Sequence, residues 1–167
     1  MSRHSAYNLA KSFACAFSGI FRSLRYERNL RIHFFAAAYI LYFSHYFRLS
    51  RAEYAVLITA IGGVIVCELM NTAIEAAVDL NTLAYNVFAK TAKDAAAGAV
   101  LVSSAISVGI GFLFFFEPDI LREIGADITR APFVWIFLIA ITIFLIAWPE
   151  YRRPASEHSN NHSKENK

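Results

Sequence analysis

The chain has 167 residues, 57% of them hydrophobic and only 17% charged, with a formal net charge of +3. A soluble domain carries about 25% charged and 45–50% apolar residues, so this chain lacks the polar side chains needed to cover a water-soluble fold. With 7 Gly and 2 Cys, the composition also excludes a disordered chain, a collagen and a disulfide scaffold, and it points to a small all-α integral membrane protein. No basic patch with interleaved stacking residues stands outside the apolar segments, so nucleic acid is not an expected partner. Cys15 and Cys67 lack CxxC spacing and read as buried free thiols.

Residues 1–30 predict an amphipathic helix on the membrane surface. Asn8, Lys11, Ser18, Arg22 and Arg25 fall along one face, with Leu9, Phe13, Phe17, Ile20 and Leu24 opposite. Such a basic helix lies along an anionic surface rather than crossing it; docking on a protein partner is the alternative. No short apolar stretch followed by a small-residue cleavage site is present, so no cleaved signal peptide is expected.

Residues 32–47 form the first apolar segment, extended through Leu30 and Leu49 if Arg31 and Arg48 snorkel. The second, 54–78, is interrupted by Glu68, Asn71 and Glu75. The third, 95–116, has no charge and spans about 33 Å as a helix. After a loop at 117–131 comes a fourth, 131–149, bracketed by Pro132 and Pro149 with Trp135 and Trp148 near its ends, the placing of an aromatic belt. The expected organisation is an interfacial segment (1–30), a three-span core (31–116), an added loop and fourth span (117–149) and a disordered polar tail (150–167). Arg3, Lys11, Arg22, Arg25, Arg28 and Arg31 precede the first span against Glu27 alone, and Arg152 and Arg153 follow the last. This bias puts both termini, and the 79–94 connection, in the cytoplasm. There is no internal repeat, which counts against a transporter.

Ionisable groups inside a span are costly and are functional hypotheses by default. Glu68, Asn71, Glu75 and Asp79, spaced by three, four and four, fall within about 80° on a helical wheel. Lys90, Lys93 and Asp94 follow at the mouth of the next helix. Carboxylates with an amide can hold Mg²⁺, substrate phosphates completing its shell. A lysine beside them can neutralise phosphate oxygens. A carboxylate deeper in the apolar zone suits a general base that a lipid hydroxyl reaches from the membrane. Together these describe phosphoryl transfer to a membrane alcohol. Pairing of the glutamates with basic residues for packing alone does not require a stripe. The alternative function is a proton- or cation-coupled transporter, which would place further carboxylates in the spans 95–116 and 131–149, where there are none; a non-enzymatic assembly subunit is a third. No GxxxxGK[ST] loop or kinase-type loop occurs. His33 and His45 read as interface residues, His158 and His162 as tail residues.

The string ELMNTAIEAAVD from Glu68 to Asp79, with AKTAKDAAAGAVL from Ala89 to Leu101, resembles the signature of the small prokaryotic diacylglycerol kinase and undecaprenol kinase family. ERNLRIH from Glu27 to His33 resembles the element that family carries just before its first span. The resemblance covers roughly residues 5–116 and implies a homotrimeric lipid kinase of the cytoplasmic membrane, with a surface helix, three spans and active sites between subunits near the cytoplasmic face. Carried over by position, it makes Glu68 the general base, next to the lipid substrate, and Glu27 and Glu75 the ligands of ATP-bound Mg²⁺. It sets Lys93 and Asp94 on the nucleotide phosphates, with Asn71 and Asp79 in support. In the nucleotide-contacting stretch 84–86, Tyr85 matches some members while Ala84 and Asn86 depart from them. The implied reaction is ATP-dependent phosphorylation of a lipid alcohol. The wording is closer to the undecaprenol kinase branch, with diacylglycerol the next candidate. Residues 117–167 extend past the usual end of the family.

Overall fold

No strand forms: among residues 3–81 and 86–148, which the structure (a computed structural model) describes, every regular element is a helix. In chain order these are α1 (Arg3–Tyr26), α2 (Arg28–Phe43) with a 3-10 turn at Ser44–Phe47, α3 (Arg51–Asn81), α4 (Val87–Phe115), α5 (Pro118–Arg130) and α6 (Pro132–Ala147). The expected tail, like Pro149, lies outside the described residues.

Local chemistry starts and stops these helices. Ser50 and Glu53 form a reciprocal capping box at the start of α3: the Ser50 amide donates to Glu53 Oε2 at 2.7 Å, and the Glu53 amide donates to Ser50 Oγ at 3.3 Å. At the start of α4, Asn86 Oδ1 accepts from the amides of Phe88 at 2.8 Å and Ala89 at 3.4 Å. The 31 and 29 residues of α3 and α4 make helices about 46 and 44 Å long, and both are long and apolar enough to cross a membrane. They pack against each other as an antiparallel hairpin along a seam of small residues. Ser107 Oγ donates to the Ala60 carbonyl at 3.1 Å, and a methyl group added at Gly63 would meet Ser103 Oγ at 3.6 Å. With no hydrophobic drive between helices in lipid, such close approach supplies the packing.

The 16 residues of α2 reach only about 24 Å, less than a hydrocarbon core of roughly 30 Å. Ser44 Oγ turns back to the Leu41 carbonyl at 2.7 Å, and Arg48 ends the 3-10 turn in the left-handed region at φ 47°. The first apolar segment thus closes at Phe47, whose ring packs edge-on to Phe115 of α4 with centroids 4.9 Å apart. Arg31 corrects an expectation. It does not snorkel: its guanidinium is buried, 9% exposed, because four backbone carbonyls inside the protein receive it.

Residues 117–131, expected as a loop, are mostly helix α5. Pro118 fits the first helical position, where its missing N–H costs nothing. Ile120, Leu121, Ile124 and Ile128 line one face, and Ile124 is buried. Asp119 and Arg122, then Asp127 and Arg130, pair at 3.0 and 2.7 Å along the other. The chain then bends by 94° into α6, which runs antiparallel to α2. Near its start Trp135 stacks on Phe43 with centroids 5.6 Å apart; further along, Thr142 Oγ1 shares a hydrogen bond with Tyr39 Oη at 2.8 Å.

The buried apolar set among the described residues is small (Leu30, Ala37, Phe47, Leu57, Val64, Ala96 and Ile124), while large side chains such as Leu101, Leu113 and Phe133 face outwards. That inversion suits lipid as solvent. On α1, Leu9, Phe13, Phe17 and Phe21 form an exposed apolar stripe at four-residue spacing, the in-plane pattern that the sequence predicts. Cys15 and Cys67 are free as expected but neither is fully buried: Cys15 is exposed, because it sits on this surface helix, and Cys67 is half-buried.

Candidate active site

The stripe on α3 makes three polar contacts in order. Glu68, 3% exposed, accepts from His33 Nε2 of α2, whose ring nitrogen lies 3.2 Å from Oε1. Asn71 Nδ2 donates to Glu75 Oε1 at 2.9 Å, one turn apart on α3 itself. Asp79 Oδ1 pairs with Lys93 Nζ of α4 at 2.5 Å. The spacing of three, four and four therefore makes a ladder of polar contacts that grows more exposed from Glu68 to Asp79, where the side chain is 62% exposed. Asp94, on the next position of α4, is exposed.

Glu27 stands at the corner between α1 and α2. It caps α2 in an extended conformation, φ −107° and ψ 114°. Its amide donates to the Ser23 carbonyl at 2.8 Å, and its own carbonyl accepts from the Arg31 amide at 3.3 Å. Beside this corner a cleft of about 450 Å³ separates α1 from α3, with Arg22, Ser23 and Tyr26 on one wall and Leu69, Thr72 and Ala76 on the other. Tyr85 lies outside the described residues, and Asn86 spends its carbonyl oxygen on capping α4.

Part of this donor set suits a divalent cation. Asn71 Oδ1 is buried and has no hydrogen-bond partner among the described residues, beside the Glu75 carboxylate that Nδ2 touches. An orphaned carbonyl oxygen next to a carboxylate is a hard-oxygen pair of the kind Mg²⁺ takes. Among the described residues no three His, Cys, Asp or Glu groups gather to hold a metal by themselves. Those protein ligands therefore fit an ion whose other partners are substrate phosphates and water rather than an all-protein cage.

His33 is the residue that sequence reasoning placed elsewhere, at a membrane interface. The reason appears only once the helix is packed: His33 lies three residues after Leu30 and four before Ala37, both of which the structure buries, so it shares their inward face. It also lines an apolar groove of about 340 Å³ between α2, α3 and α4, whose walls include Ile40, Val64, Ile65 and Val108. Ile65 is one turn from Glu68, so the groove ends next to the most buried carboxylate of the stripe.

The model of a family described as prokaryotic diacylglycerol kinase matches residues 14–115. The chain is 44% identical over 113 residues to a protein named undecaprenol kinase from Bacillus subtilis, covering 68% of this chain and 92% of that protein. It is 37% identical over 114 residues to a protein named diacylglycerol kinase from Synechocystis sp., covering 68% of this chain and 65% of that one. No solved structure matches. The matched segment holds Glu27, Glu68, Glu75 and Lys93 and ends with α4; α5 and α6 lie beyond it.

Proposed function

We propose, since the chain belongs to the prokaryotic diacylglycerol kinase family and is a lipid kinase, that it transfers the γ-phosphate of ATP to the hydroxyl of undecaprenol, with diacylglycerol as the next acceptor. The observation that carries this is the buried Glu68, bonded to His33 at the end of an apolar groove. A carboxylate there meets an alcohol that arrives from the bilayer rather than from water. The larger share of the undecaprenol kinase that the chain covers supports the choice of acceptor. Family membership leaves the coupled-transporter alternative without support.

In this reading Glu68 takes the proton of the lipid hydroxyl while His33 Nε2 holds the carboxylate in place. The freed oxygen bonds to the γ-phosphorus, the bond to the β-phosphate oxygen breaks, and ADP leaves. Lys93 and Asp94 stand at the phosphates, Lys93 offsetting charge that develops there. Glu27 and Glu75 would hold Mg²⁺, with Asn71 and Asp79 steadying Glu75 and Lys93, and the ion when bound supplies neutralisation of the phosphate oxygens. Tyr85 and Asn86 border the nucleotide. The site faces the cytoplasm, where ATP is, and is completed between the subunits of a homotrimer in the cytoplasmic membrane.

The test is transfer of labelled γ-phosphate from ATP to undecaprenol and to diacylglycerol by the purified protein in mixed micelles with Mg²⁺. Faster labelling of undecaprenol is expected. Preference for diacylglycerol would reverse the acceptor, and labelling of neither would overturn the reading.

A further inference from the structure

Arg31 closes the ends of two helices that belong to different parts of the chain. Its Nη1 donates to the carbonyls of Leu24 at 3.3 Å and Arg25 at 3.0 Å, in the last turn of α1. Its Nη2 donates to the carbonyls of Ile146 and Trp148, both at 3.1 Å and 115 and 117 residues away in sequence, at the C-terminal end of α6. The last carbonyls of a helix have no partner within it, and the dipole at that end favours a cation. A buried guanidinium meets both needs at once. The α2–α6 contacts at Trp135 and Thr142 hold α6 in the register that brings its last carbonyls to Arg31.

Between the two halves of this arrangement lies Glu27, one turn before Arg31 and hydrogen-bonded to it through the backbone. Glu27 is the single residue between α1 and α2, and Arg31 bonds the last turn of α1 from within α2, across that corner. Two of the four acceptors come from outside the family segment, which ends at residue 115. Among the described residues Nε of Arg31 already has no hydrogen-bond partner, so losing these two acceptors would leave Nη2 as a second unsatisfied donor, a state that costs enough to make the side chain reorient. Glu27, four residues earlier in the chain, then becomes an alternative acceptor for it.

We infer that α6 is a built-in clamp for the nucleotide side of the reaction, which acts through Arg31 to hold the α1–α2 corner and the carboxylate of Glu27. Arg31 is a positioning residue. The inference rests on the reading of Glu27 as a ligand of the Mg²⁺ of ATP.

The experiment compares the full chain with a chain ending at Ala131, in the same micelles. The KM for Mg·ATP should rise about tenfold, while kcat and the KM for the lipid stay within about twofold. A chain ending at Tyr151, which keeps both carbonyls as backbone amides, should retain the full-length value. Arg31→Gln should show the same rise in the full chain, and shortening that variant should add nothing, because both changes remove one interaction. A second readout needs neither ATP nor metal. Hydrogen exchange at the amides of 24–28 should quicken in the shortened chain, and also in a full-length chain carrying Trp135→Ala and Thr142→Val, where α6 is loosened without being removed. An unchanged KM for Mg·ATP in the chain ending at Ala131, a shift in the chain ending at Tyr151, independent effects of Arg31→Gln and shortening, or unchanged exchange at the corner would each overturn the clamp. Glu27→Gln separates the two ideas: a wild-type KM for Mg·ATP in that variant sinks the reading of Glu27, whereas exchange at the corner still reports on the clamp.

Discussion

Glu68 is only 3% exposed, and a carboxyl group buried that far needs a hydrogen-bond partner, which His33 supplies. Glu68→Gln keeps the shape and the hydrogen-bond contact but cannot take a proton. Transfer to lipid should fall about 10²–10⁴-fold, with thermal unfolding in detergent unchanged; wild-type turnover would remove Glu68 from the reaction. Lys93 differs because its pair with Asp79 sits at an exposed edge, where such a pair is worth about 0–1 kcal/mol. Lys93→Met should therefore leave the fold intact while lowering kcat/KM for Mg·ATP by about 10²-fold, as read from initial rates at varied nucleotide. The spacing of the stripe made Glu68, Asn71, Glu75 and Asp79 legible in the sequence, because i, i+3 and i+4 neighbours on a helix share a face whatever surrounds it. His33 was harder to read: its role depends on which face of α2 meets α3, and an isolated histidine in an apolar run fits an interface equally well.

At the scale of elements, α3 owes its start to the Ser50–Glu53 box, whose two hydrogen bonds satisfy otherwise unpaired amides. Ser50→Ala should cost about 1 kcal/mol of stability, visible as a lower unfolding temperature, with kcat and both KM values unchanged because the box lies at the end of α3 opposite to Asp79. A shifted KM would show that the two ends are coupled. Helix α5 shows where a sequence pattern was open to two readings. Its charges and two flanking prolines suit a loop, yet Ile120, Leu121, Ile124 and Ile128 recur at helical spacing. An amphipathic helix lying flat carries as much charge as a loop, and only the burial of Ile124 by its neighbours settles which forms.

For the whole molecule, the small buried core and the wide apolar exterior leave most of the helix surface to lipid or to other subunits. The homotrimer we propose makes a direct prediction. Light scattering of the purified protein, corrected for detergent, should give the mass of three chains of 18.7 kDa. Full activity at the mass of one chain would exclude a site shared between subunits. Packing of α6 on the outer side of α2 fits this, because an added helix there leaves the α3–α4 hairpin free to meet its copies.

The amino-acid sequence by itself determined the apolar segments, the basic surface helix, the polar stripe and the family, since each is written in neighbours within one or two helical turns or in a contiguous motif. The tertiary structure alone decided that His33 holds Glu68, that Arg31 is buried rather than snorkelling, and that α6 returns to the corner where Glu27 stands. Those contacts join residues 35 to 117 positions apart. Whether such distant groups meet depends on how whole helices pack, and no local periodicity encodes that.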